Sequence, residues 1–160
     1  MKQEERERTL LAWQNRWTTE SRGRWTARLV PNIEGWVKRS HGETNYYLTQ
    51  FLTGHGYFRA FLKKIGKTGE AECVYCHSGE DDAEHTFFEC PQWQRQRASL
   101  MEEIGTFEPD SIGEVMLTSK DNWDAVHTFV TAVLKTKERD RAWEGTGAFP
   151  TLPSTPPHSE

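Results

Sequence analysis

The chain has 160 residues, with 20 Lys/Arg against 24 Asp/Glu and a formal net charge of −4; that is the length of one domain, or of one domain with a tail. Leu, Ile, Val and Phe fill only 29 positions, but the near-neutral charge, seven Trp and eight Phe argue for a folded, rather polar domain rather than a disordered chain. No stretch approaches the roughly 18 apolar residues of a membrane span, the opening Met-Lys-Gln-Glu-Glu-Arg-Glu-Arg lacks the apolar core of a signal peptide, and three Cys without a secretory signal argue against a disulfide scaffold.

Charge is unevenly spread. Residues 1–70 carry 13 Lys/Arg and 7 Asp/Glu, whereas residues 71–160 carry 7 and 17. A chain polarised in this way can present a basic face to an acidic partner, or fold its two halves against each other.

Periodicity predicts a mostly α protein. Leu10, Trp13 and Trp17 recur at helical spacing within residues 4–19, and Gly23 breaks that helix. Residues 24–30 alternate loosely and end at Pro31, which predicts an extended segment. A short helix is expected over 31–39, with Pro31 at its first position. Thr44 is placed to cap a helix whose apolar face is Tyr47, Leu48, Phe51 and Leu52. Phe58, Phe61, Leu62 and Ile65 form the next stripe, closed by Gly66. Residues 67–82 read as loop and 83–89 as a short helix. Trp93, Arg97, Leu100, Met101 and Ile104 follow, then a helix over 110–117 and a long one with Trp123, Val126, Val130, Val133 and Leu134 buried. Asp110 and Asp121 are the expected N-caps of the last two. The chain thus divides into an N-terminal helix (1–22), a helical domain (23–143) and a disordered Pro-rich tail (144–160).

The three Cys carry the chemistry. Cys73, Cys76, His85 and Cys90 have the spacing C-x2-C-x8-H-x4-C. Three thiolates and one imidazole complete a tetrahedral Cys3His zinc site that excludes water and is therefore structural. Two other patterns share this region. Cys73-x2-Cys76-His77 matches haem attachment, but that chemistry needs export and leaves His85 and Cys90 without a role. His41-Gly42-Glu43 ahead of a C-x2-C has the order of a zinc deaminase, but Glu72 stands where Pro is expected and sheet-forming segments are lacking. Asp110, Glu114, Lys120 and Asp124 have nuclease-like composition on segments that read as helical.

The segment from Tyr46 to Arg59 (YYLTQFLTGHGYFR), with Ala83–Pro91 (AEHTFFECP), Gly23-Arg24-Trp25-Thr26 and Leu29-Val30-Pro31-Asn32, resembles the C-terminal region of the reverse transcriptase polyprotein of arthropod non-LTR (LINE-type) retrotransposons, in the clade that inserts into ribosomal RNA genes. The resemblance covers residues 5–143. It implies a zinc knuckle over 73–90 that helps the polyprotein engage element RNA or target DNA during target-primed reverse transcription, with Zn²⁺ held by Cys73, Cys76, His85 and Cys90. It also implies nuclear localisation with a cytoplasmic ribonucleoprotein stage. The polymerase Asp-Asp motif and the upstream endonuclease are absent from these residues, so the segment is expected to be non-catalytic.

Glu80, Asp81, Asp82 and Glu84 inside the knuckle should repel phosphate. Tyr75 is placed either to stack on a base or to pack over the metal. The better nucleic-acid candidate is the helix upstream, where Arg59, Lys63 and Lys67 recur every four residues with Lys64 alongside, opposite the apolar stripe. Such cations also complement a helix C-terminus. Arg22, Arg24, Arg28, Lys38 and Arg39, interleaved with Trp25 and Trp36, read as exposed Arg over buried Trp, or else as a stacking platform. The expected partners are RNA or DNA and the polymerase body, with no membrane and no small-molecule substrate. The alternative function is a protein-interaction module docking on that body or a host factor.

Overall fold

The computed structural model describes residues 1–144, with side chains through residue 141; apart from Glu144, which ends the last helix, the expected disordered tail lies outside the described residues. Eight α-helices occur among them: α1 (Lys2–Thr19), α2 (Arg24–Leu29), α3 (Ile33–Val37), α4 (Tyr46–Thr53), α5 (Arg59–Lys64), α6 (Gln94–Ile104), α7 (Pro109–Thr118) and α8 (Lys120–Glu144). No strand forms among the described residues; a single bridge pairs Glu72 with Glu80. The fold is mostly α, as its periodicity predicts.

The α8 helix is the spine. Its buried stripe, Trp123, Val126, Phe129, Val130, Val133 and Leu134, recurs at the 3.6-residue period. Helices α4, α6 and α7 pack on it, and α2 packs on both α4 and α7. Beyond Leu134 the same face continues with Lys137 and Asp140, both buried. There it meets the cysteine loop rather than another apolar helix.

The α2 segment corrects the extended reading of residues 24–30. Pro31 disfavours helix only at the residue before it, and Val30 alone takes non-helical angles, φ −126° and ψ 71°. Upstream, the chain is free to wind. Trp25 donates its indole N–H to the Phe51 carbonyl at 2.9 Å and Thr26 its hydroxyl to Leu52 at 2.7 Å, tying α2 to the end of α4. The α2–α7 crossing is close enough that a Cβ on Gly113 would collide with the Leu29 carbonyl oxygen.

Caps also differ from expectation. Asn45, not Thr44, caps α4 by accepting the Leu48 N–H at 2.7 Å. Asn32 caps α3, so that helix starts at Ile33 rather than at Pro31. Glu108 caps α7 through a capping box with Ser111, leaving Asp110 free to pair with Arg28 at 3.1 Å. Ser119 accepts from the Asn122 and Trp123 N–H groups ahead of α8, so Asp121 is a first-turn residue and not the cap.

Helix α1 buries less than its periodicity suggests. It packs on α3, covers Leu10 and half-buries Trp17, whose indole N–H donates to the Val30 carbonyl at 2.8 Å. Trp13 is 53% exposed.

Candidate metal centre

The cysteine loop is built by backbone hydrogen bonds. The Cys73 N–H donates to Gly79 at 2.9 Å and the Asp81 N–H to Ala71 at 2.8 Å, flanking the single bridge. Between them the chain turns tightly: the His77 N–H reaches the Cys73 carbonyl at 3.0 Å, and His77 itself sits at φ 55°. Asp82 then starts a helical turn, its carboxylate accepting the His85 N–H at 2.8 Å.

The second half of the site is a π-turn over His85–Glu89, within the short helix expected over 83–89. The Cys90 N–H donates to the His85 carbonyl, five residues back, at 2.7 Å. At about 100° per residue an α-helix would aim His85 and Cys90 to different sides. The wider turn brings them to the same side, which is why the backbone leaves α geometry here.

The result is a tight cluster. The ligand atoms of Cys73, Cys76, His85 and Cys90 all lie within 4.8 Å of one another, and they are the one such metal-capable group among the described residues. Cys73 Sγ and Cys90 Sγ are 3.9 Å apart, and Cys76 Sγ and His85 Nε2 are 3.3 Å apart. Metal–sulfur bonds of about 2.3 Å and metal–nitrogen bonds of about 2.0 Å imply tetrahedral edges of about 3.8 Å between sulfurs and about 3.5 Å between sulfur and nitrogen. The donor set and its spacing therefore fit a four-coordinate metal ion. Nδ1 of His85 faces the Glu89 carboxylate at 3.7 Å, longer than a hydrogen bond.

The thiols differ in their surroundings. Burial pushes Cys90 up to about 12 and also raises Cys73. Cys76 is more open; burial works against its thiolate, but hydrogen bonds from the Ser78 hydroxyl and backbone, with Cys73 and His85, bring it down to about 6.

Two charged residues that support this site carry no motif signature. Arg97 of α6 is buried and donates to the carbonyls of Phe87 and Cys90 at 2.9 Å each, and to Thr86 at 3.4 Å. It caps the π-turn that carries two ligands. Its one signal in the sequence is an Arg on an otherwise apolar helix stripe. Asp81 accepts from Lys137 Nζ at 2.5 Å, from the Thr86 hydroxyl at 3.0 Å and from the Arg59 backbone N–H at 3.0 Å. It joins the loop to α8 and caps α5.

The acidic loop is accordingly less repulsive than its composition suggests. Asp81 is neutralised by Lys137, Asp82 caps a turn and Glu84 pairs with Arg28 at 3.0 Å. Tyr75 is not open to a base: it meets Trp93 edge-on at 5.1 Å and donates its hydroxyl to Asp140 at 2.7 Å. Trp25 and Trp36 are half-buried and pack against the core, and Arg39 lies over both Trp36 and Trp123, at 4.9 and 5.1 Å.

The other patterns do not converge on the cluster. His77 pairs with Glu72 at 3.5 Å on the surface, His41 Nε2 lies 3.1 Å from the Met116 carbonyl, and Asp124 pairs locally with Lys120 at 2.5 Å. Of the basic candidates, Arg59 turns toward Glu70, 3.9 Å away. Lys63 and Lys64 end α5, Lys67 lies just past it, and all three are exposed. Ile65 is 49% exposed and does not join the Phe58 and Leu62 core.

Fold and site together define a helical domain with a Cys3His metal-capable cluster at one end of its spine. No protein-family model and no solved structure matches the chain significantly. Its homologues are insect R1 retrotransposon Pol polyproteins. It is 33% identical over 91 residues to the retrovirus-related Pol polyprotein from type-1 retrotransposable element R1 2 of Nasonia vitripennis, covering 57% of this chain and 22% of that protein. The R1 4 polyprotein of the same wasp is 27% identical over 130 residues, 79% of this chain and 33% of the relative. The R1 polyprotein of Popillia japonica is 28% identical over 108 residues, 66% and 42% respectively. The chain thus matches between about a fifth and two fifths of these three relatives' length.

Proposed function

We propose that this chain is a zinc-stapled nucleic-acid-binding segment of an R1-type Pol polyprotein. It performs no chemistry itself and helps the protein engage element RNA or target DNA during target-primed reverse transcription, in the nucleus after a cytoplasmic ribonucleoprotein stage. Zinc suits a closed donor set of three thiolates and one imidazole, in which the ion supplies a cross-link rather than a reactive water. Cys73, Cys76, His85 and Cys90 would hold it.

The observation that carries the reading is the state of the lysines around the end of α5. Arg28, Lys38, Lys120 and Lys137 each have an acidic partner. Lys63, Lys64 and Lys67 are exposed and have none among the described residues. Lys63 and Lys64 end, and Lys67 lies just past, a helix whose start is fixed to the cysteine loop by Asp81. A row of unpaired cations on an anchored element favours phosphate contact.

Salt-titrated binding of the zinc-loaded chain to RNA, single-stranded DNA and duplex DNA tests this. Affinity is expected to fall steeply between about 50 and 200 mM salt, and to be lost in the Lys63→Glu/Lys64→Glu variant. No binding at low salt contradicts the proposal. A protein-docking role is favoured instead by a groove of about 600 Å³ between α6 and α8, where Glu103, Asp121 and Asp124 rim Leu100 and Phe129. That reading predicts capture of a basic protein segment with no nucleic-acid affinity.

A further inference from the structure

The loop joining α4 to α5 presents an aromatic surface that the lysines alone do not explain. Gly54 and Gly56 both take positive φ, 71° and 128°, conformations that favour glycine. A Cβ on Gly56 would run into the side chain of Gln50. Gln50 is itself buried, and its amide oxygen accepts the Tyr57 N–H at 3.0 Å. The Thr53 hydroxyl accepts the His55 N–H at 3.2 Å. The backbone on both sides of His55 is therefore held.

Within that fixed loop the imidazole of His55 lies nearly parallel to the ring of Phe61, with centroids 4.5 Å apart and planes 15° apart. His55 is exposed, so Phe61 covers one face of the imidazole and leaves the other to solvent. One turn along α5 from Phe61 come Lys64 and the exposed Ile65. The surface is thus a two-ring stack with an apolar step and a cation beside it.

We propose that His55, backed by Phe61, is a stacking shelf for an unpaired base of single-stranded nucleic acid whose backbone runs past Lys64. This rests on the nucleic-acid reading given above and narrows its ligand to single strands. Single-strand sites combine a cationic track with aromatic faces on which bases stack. A duplex keeps its base faces inside the helix and can use only the lysines. The ring backing also matters: an imidazole held against Phe61 loses little freedom when a base arrives.

The test uses the full zinc-loaded chain, with a single-stranded RNA of about 12 nucleotides and a duplex of matching length as probes. His55→Ala is expected to weaken single-strand binding about tenfold, to leave duplex binding unchanged, and to be rescued by His55→Tyr. Circular dichroism and zinc content identical to the parent establish that the variants fold. If His55→Ala leaves single-strand binding unchanged while Lys63→Glu/Lys64→Glu abolishes it, the shelf is refuted and the basic-helix reading stands. Equal weakening of both probes also refutes the shelf. If the parent chain binds neither probe, and a protein partner is captured instead, both readings fall together.

Discussion

Lys137 of α8 and Asp81 of the cysteine loop form an ion pair at 2.5 Å, with side chains only 3% and 4% exposed. The Lys137 ammonium also lies 5.6 Å from the ring centres of both Phe58 and Tyr75. One lysine therefore docks the metal loop, the start of α5 and the end of the helical spine onto each other.

Replacing Lys137 by Met leaves the Asp81 carboxylate buried without its cation. Removing one partner of a buried pair costs about 3–5 kcal/mol. Urea unfolding of the metal-loaded chain should show a loss of that size for Lys137→Met. The Lys137→Met/Asp81→Asn double variant should recover part of it, because no unpaired charge remains.

Arg97 acts on the metal through the backbone. Its three hydrogen bonds end on carbonyls of the turn that carries His85 and Cys90. A lysine there offers a point charge in place of a planar fork. Arg97→Lys should lower metal affinity about 10–100-fold, the usual effect of removing a group that positions ligands. Competition with a chromophoric chelator measures this; unchanged affinity would mean that the turn holds its shape without the guanidinium.

The thiols set the proton count of metal loading. The chain without metal is expected to lose its fold, which returns Cys73, Cys76 and Cys90 to ordinary thiols, mostly protonated at pH 7. Metal ligation requires all three as thiolates. Loading should therefore release about three protons from the thiols, and affinity should rise with pH with a slope near three. Calorimetry in buffers of different ionisation enthalpy reads this number directly. Release of about two or fewer would show that a thiolate is already held before the metal arrives.

The parts legible in the sequence were those written in local spacing. The α8 stripe from Trp123 to Leu134 and the Cys73, Cys76, His85, Cys90 spacing each lie within one short window, so pattern and structure agree. Residues 24–29 wind into α2 despite Pro31, because the influence of that proline reaches one residue back, not seven. Trp13 lies on a helical stripe, but helical spacing does not say whether a partner surface exists, and the packing of α1 on α3 leaves this side chain 53% exposed. The π-turn was invisible because one widened turn leaves the residue pattern unchanged. Asp81 and Lys137 are separated by 56 positions. In composition each is one more surface charge, and only the packing of the loop on α8 turns them into a buried pair.

The Cys3His cluster is proposed to hold a zinc ion whose binding energy stabilises the fold. X-ray absorption on the purified chain, with metal content and thermal unfolding before and after chelation, tests it most directly. One zinc per chain is expected, with three sulfurs at about 2.3 Å and one nitrogen at about 2.0 Å, and loss of cooperative unfolding once the metal is stripped or Cys76 is replaced by Ser. A chain that purifies without metal and unfolds at the same temperature with or without added zinc would contradict it.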